Sequence, residues 1–162
     1  MFKDAAKRRE LDPAVIAGNE ARSMTVFCHG HPLAALRPWL AENRVVTARD
    51  LRRIPSGKIV RLTGLSIIVH MPPTKSGKRV LFITLEDETG IADVVAFPRA
   101  QAGAARAILS SEALTVEGRL QRQGKNGLSV SIIVNTHIPL LTGSIAELLS
   151  RAPKRTGKRG AA

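Results

Sequence analysis

Cys28-His29-Gly30-His31 is the densest group of metal-ligating and nucleophilic side chains in the sequence. A structural zinc site needs four converging ligands, usually with paired cysteines or histidines. His70 and His137 stand in separate apolar stretches and no second Cys exists, so neither a metal nor a cofactor is expected. Glu86-Asp87-Glu88 are consecutive acids, the pattern of a solvated turn rather than of a general acid facing a general base. No Gly-rich phosphate loop and no nucleophile beside an obvious base occurs elsewhere, and the chain is expected not to be an enzyme.

What remains chemically useful is rings and cations. Aromatics are 3% of 162 residues, four Phe and one Trp without Tyr, so each invites a question. Lys and Arg number 25 against 13 Asp and Glu, a net charge of +12 that suits a phosphate-bearing partner or an anionic surface. Five of those cations fall in residues 151–162, which contain no acid and no apolar periodicity. This tail is expected to be a solvated arm, either a solubilising end or a non-specific phosphate contact. The apolar stretches are short, and Met1 is followed by Lys3, Asp4 and Lys7, so no membrane insertion or export is expected. The single Cys excludes an internal disulfide and suits a cytoplasmic setting.

The elements that must position these side chains divide at Lys58. Residues 1–57 form a helical extension: a polar helix over 3–22 broken near Pro13, then an amphipathic helix over 32–42 with Leu33, Leu36, Trp39 and Leu40 on one stripe. A short turn follows, capped by Thr47 and stopped by Pro55-Ser56-Gly57. Trp39 is expected in the core, with a dimer seal as the alternative. From Lys58 the texture becomes β-branched and alternating. Strands are expected over Ile59–Val69, Val80–Glu86, Ile91–Phe97, Ala113–Arg122 and Leu128–His137, with an Ala-rich helix over 98–110 and a bulge or bend at Gly64. Three strands, a helix and two strands, the first kinked, is the order of a mainly β, five-stranded OB-fold barrel over 58–141. An open five-stranded sheet carrying one helix is the competitor. Residues 142–150 are expected to close with a short helix capped by Ser144.

Alternation puts Leu81, Ile83 and Leu85 on one face of the first hairpin with Ala92, Val94 and Ala96. Phe82, Thr84 and Glu86 then point outward, opposite Asp93, Val95 and Phe97, and the turn as drawn sets Phe82 across from Phe97. Two outer rings on this surface make a stacking platform for unpaired bases; cover by neighbouring helices is the competing reading for each. Lys75, Lys78 and Arg79 in the loop before the second strand, with Arg119, Arg122 and Lys125 around the fourth strand and its turn, are the expected phosphate contacts. Arg61 is a further outward candidate.

Several segments then align with one family. His31-Pro32-Leu33, Val46-Thr47-Ala48-Arg49-Asp50-Leu51, Val60-Arg61-Leu62-Thr63-Gly64-Leu65, Phe82 through Gly90, and Val116 through Arg122 occur in that order. They resemble the C-terminal region of bacterial C-family DNA polymerase III alpha subunits, most closely the error-prone type, over roughly residues 23–138. The resemblance implies an OB-fold that binds single-stranded DNA, preceded by a helical connector. It also implies that polymerase chemistry belongs to an upstream region with no counterpart here, so the chain is expected to be a free-standing relative, or a remnant of the end of such an enzyme, without the catalytic domains. Two further readings stay open: RNA as the strand bound, and a protein-interaction module docking on a DNA polymerase or repair protein.

Overall fold

The computed structural model describes residues 30–73, 77, 79–101, 105–124, 129–134 and 149. The expected helix over 3–22, Cys28, His29, Lys75, Lys78, Lys125, His137 and the basic tail lie outside these residues.

Helix α1 spans Pro32–Glu42. Pro32 occupies the first turn, where its missing N–H has no intrahelical partner to lose. His31 caps the helix, its Nδ1 accepting from the Leu33 N–H at 3.2 Å. Asn43 ends it by donating from Nδ2 to the Trp39 carbonyl at 2.8 Å. Arg44 then takes a left-handed φ of 58° that reverses the chain into a two-residue strand that the sequence did not reveal, β1 (Val45–Val46), paired in parallel with the strand after it. A 3-10 turn over Asp50–Arg52 follows. The Asp50 N–H donates to Thr47 Oγ1 at 3.1 Å and the Thr47 hydroxyl donates to Asp50 Oδ2 at 2.7 Å, so each satisfies the other.

The remaining elements are β2 (Ile59–His70), β3 (Leu81–Asp87), β4 (Gly90–Ala96), α2 (Pro98–Gln101), α3 (Ala105–Ser110), β5 (Ala113–Gln123) and β6 (Ser129–Val134). Sheet order is β1-β2-β3-β4-β6-β5, and β2 also pairs with β5. That last pairing closes a five-stranded barrel with β1 outside it, so the OB-fold forms and the open sheet does not. Closure depends on β2 serving two neighbours: Ile59 to Leu65 pair with β5, and Leu65 to His70 with β3. Gly64 stands at this changeover. A Cβ there would lie 2.7 Å from Leu85 Cβ, so glycine is needed for close approach. The bulge itself is three residues later than expected, between Ser66 and Ile68.

Inside the barrel, Leu81, Ile83 and Leu85 meet Ala92, Val94 and Ala96 as alternation requires, joined by Val60, Leu62, Val116, Leu120, Ile132 and Val134. Ala100 and Ile108, from the two short helices between β4 and β5, join this core. A second apolar cluster lies on the barrel's outside, where Leu33, Leu36 and Leu40 of α1 pack with Val45, Ala113 and Leu149, and Trp39 and Leu65 pack against them half-buried. Trp39 thus supports this cluster, and Leu149 is the single described residue of the expected closing helix. On the same face as Leu65 and Ala113, Thr63 and Thr115 are buried and share a hydrogen bond of 2.8 Å. One end of the β2–β5 seam is thereby covered, while Ile59, Arg61, Glu117 and Arg119 at its other end stay exposed or half-exposed. The wall formed by β3, β4 and the second half of β2 is also open.

Candidate nucleic-acid interface

The register writes out that open wall row by row. His70 pairs with Phe82 and Phe82 with Val95; Ile68 pairs with Thr84 and Thr84 with Asp93. Residues directly opposite in such ladders share a face, so both rows lie on the outer surface. Phe82 is therefore opposite Val95, not Phe97. The pairing of Asp87 with Gly90 leaves Glu88-Thr89 as a two-residue turn, and Phe97 falls beyond the strand end. The Phe82 ring stacks instead on His70, with centroids 5.3 Å apart and planes 17° apart. Phe82 is half-buried and His70 exposed. Ile68, two residues before His70, Met71, which follows it, and Phe97, just past the end of β4, are 53%, 42% and 40% exposed.

His70 was not among the residues expected here, and the bulge explains why. Before it, Val60, Leu62 and Gly64 face the core, so strict alternation would send His70 inward as well. The extra residue at the Ser66/Ile68 shift reverses the parity of the strand. Val69 then packs against the core opposite Ile83, while Ile68 and His70 turn outward.

The expected cations divide. Arg79 is exposed just before β3, next to the open wall, as is Arg99 in α2, which the sequence did not single out. Arg61 and Arg119 belong instead to the β2–β5 seam, and Arg122 lies on β5 beyond it, opposite Val130 of β6; β5 is paired with neither β3 nor β4. Arg61 holds Glu117, Nε and Nη2 donating to Oε2 at 3.0 and 2.6 Å. Arg119 donates from Nη1 to the Gly57 carbonyl at 2.8 Å. Arg122 is tied to a turn far away in the sequence. Its Nη2 donates to the carbonyls of Leu51 (3.1 Å), Arg52 and Ile54 (2.9 Å), so the guanidinium closes the end of the 3-10 turn.

The acidic run is a second correction, since Asp87 is 3% exposed rather than solvated. Its Oδ2 accepts from the Ala48 N–H at 2.7 Å and from Arg37 Nη2 at 3.4 Å. Its Oδ1 accepts from the Thr89 N–H and hydroxyl, both at 2.7 Å, and from the Gly90 N–H at 3.1 Å. Arg37 also grips Glu88 through Nε and, at 2.8 Å, through Nη2. A buried carboxylate with several donors is stable where an unpaired one would not be. Here it ties α1 and the segment before the 3-10 turn to the β3–β4 hairpin. Nearby, burial pushes the His31 imidazole below its ordinary 6.5, against the opposing pull of Glu86, Glu88 and Asp87.

Residues 56–140 match the family model of the OB-fold nucleic acid binding domain. The chain belongs to that family. Its relatives include the error-prone DNA polymerase of Dechloromonas aromatica (strain RCB), 39% identical over 104 residues that cover 64% of this chain and 10% of that protein. That of Azoarcus sp. (strain BH72) is 40% identical over 129 residues, 75% of this chain and 12% of the relative. The resemblance seen in the sequence thus holds, and the chain spans about a tenth of the length of these relatives. Among solved structures, RecG bound to a three-way DNA junction is matched over 56% of this chain and 12% of that one, at 17% identity and a TM-score of 0.43. Among the described residues no helix is long and apolar enough to cross a membrane.

Proposed function

We propose that this OB-fold domain binds single-stranded DNA, without catalysis of its own, in the replication or repair setting that its relatives' names imply. One observation carries the reading: a stacked pair of rings, His70 on Phe82, stands on an open barrel wall beside exposed Ile68, Met71 and Phe97. Unpaired bases have flat apolar faces and stack on such rings, each for about 1–3 kcal/mol. Duplex bases have no free face to offer, so the wall suits single strands. Arg79 and Arg99 lie beside it to meet phosphates, in a chain of net charge +12. Lys75 and Lys78, which fall between β2 and β3 in the sequence, and Lys125, between β5 and β6, add further phosphate contacts to this reading.

Fluorescence anisotropy with a labelled single-stranded oligonucleotide, a duplex and an RNA of the same length tests this. The single strand of DNA should bind at low salt, and Phe82→Ala should weaken it with far-UV circular dichroism unchanged. Undetectable binding of any nucleic acid overturns the reading. Unchanged DNA affinity in the folded Phe82→Ala protein would transfer the wall to a protein partner such as a polymerase or repair factor.

A further inference from the structure

The His70–Phe82 stack runs across the strands, and its 5.3 Å centroid spacing is close to the 4.7–4.9 Å that separates neighbouring strands. One more step in the same direction reaches the outer surface of β4. The residue in that row is Val95, a short side chain where a third ring would otherwise stand. Its neighbours two residues away are Asp93, exposed, and Phe97, just past the strand end. The third position of the row is therefore a short, half-buried apolar side chain with an exposed carboxylate two residues away.

Asp93 is held in place. The Thr84 hydroxyl donates to its Oδ1 at 3.2 Å, which orients the carboxylate and leaves Oδ2 and the second lone pair of Oδ1 available. Diagonal neighbours on one face of a sheet lie about 7–8 Å apart, so Asp93 is within one base's width of the Phe82 ring. A carboxylate is an unfavourable neighbour for phosphate, so a strand bound here would turn its base edges rather than its backbone towards Asp93. It can accept hydrogen bonds and cannot donate any. Unpaired guanine presents two adjacent donors, N1–H and N2–H, which match the two carboxylate oxygens. Thymine presents one N–H between two carbonyl oxygens that repel them. Adenine and cytosine set a ring-nitrogen acceptor beside their amine.

We propose that the outer face of β4 is a base-reading subsite in which guanine continues the His70–Phe82 stack over Val95 while Asp93 accepts from N1–H and N2–H. The subsite rests on the single-strand reading of the wall and adds base preference to it.

The test uses three single-stranded DNAs of about twelve nucleotides, within the site size of one OB barrel. One is all thymine, one has guanine at every third position, and one has hypoxanthine at those positions, which keeps the ring and N1–H but lacks the N2 amine. Anisotropy titrations compare the full chain with its Asp93→Asn variant, whose change lies at an exposed position. The wild-type chain should favour the guanine strand over both others by about fivefold or more. Asp93→Asn should bring the three affinities together, with the thymine strand bound as tightly as before or more tightly because a negative charge has gone. A purely structural Thr84–Asp93 contact would instead weaken all three alike, and that result overturns the proposal. So does a guanine preference that survives in the variant, or equal wild-type binding to all three strands, which leaves the single-strand reading standing. Failure of every strand to bind the wild-type chain removes both.

Discussion

At the scale of single residues, the wall and β5 assign different consequences to the side chains they carry. Phe82 touches the His70 ring and little of the core, so its loss should be read in binding: Phe82→Ala is expected to cost about 1–3 kcal/mol of affinity for single-stranded DNA with the melting temperature nearly unchanged. Arg122 has the opposite profile. Removing it leaves the carbonyls of Leu51, which is buried, and of Ile54, which is half-buried, short of a charged donor. Arg122→Ala should therefore lower stability by about 1–3 kcal/mol in urea titrations and leave DNA affinity per folded molecule intact. A loss of affinity without loss of stability would return Arg122 to the binding set. The sequence could not separate these two roles, because a strand arginine facing outward has the same pattern whether it meets a phosphate or reaches back to a turn some seventy residues earlier.

At the scale of elements, alternation was enough to assign both faces of β3 and β4, and the stripe of Leu33, Leu36 and Leu40 was enough to place α1. What it could not reach were features set by contact between distant segments. The bulge that turns His70 outward depends on the β2–β3 register, and the buried state of Asp87 depends on α1 docking against the hairpin. The two-residue β1 is too short to show a period at all. Gly118 is a related case: a Cβ there would lie 2.5 Å from the Ile133 carbonyl oxygen, so Gly118→Ala must push β5 from β6 and should destabilise the barrel by about 1–3 kcal/mol in thermal or urea unfolding. The start of α1 adds a pH dependence. His31 accepts from the Leu33 N–H through an unprotonated Nδ1, and burial holds its pKa below 6.5. The unfolded chain then binds more protons than the folded one between the lowered value and 6.5. The His31 contribution is thus complete above about pH 6.5 and declines as pH falls towards the folded value. His31→Asn, which keeps an N-cap acceptor but does not titrate, should flatten that part of the urea-midpoint profile. An unchanged slope would mean that the imidazole is not its source.

At the scale of the whole molecule, net charge was legible from composition, whereas its distribution over the barrel was not. Among the described residues, Arg37, Arg61 and Arg122 are engaged by Asp87 and Glu88, by Glu117, and by backbone carbonyls respectively. A charge of +12 therefore overstates what a bound strand meets on the barrel itself. Each phosphate neutralised on a single strand adds about 0.7 to the magnitude of the log–log salt slope, which makes the slope a count of working cations. Arg79 lies exposed beside the wall, and Arg79→Ala should reduce that magnitude by about 0.7. The Arg61–Glu117 pair is already neutral, with side chains 43% and 40% exposed, and an exposed pair of this kind adds about 0–1 kcal/mol to stability. Replacing both partners by Gln should accordingly leave the slope and the fold as they were. If the double variant instead lowers the slope as Arg79→Ala does, the strand wraps beyond the wall onto the β2–β5 seam, and the interface is larger than the stacked rings alone define.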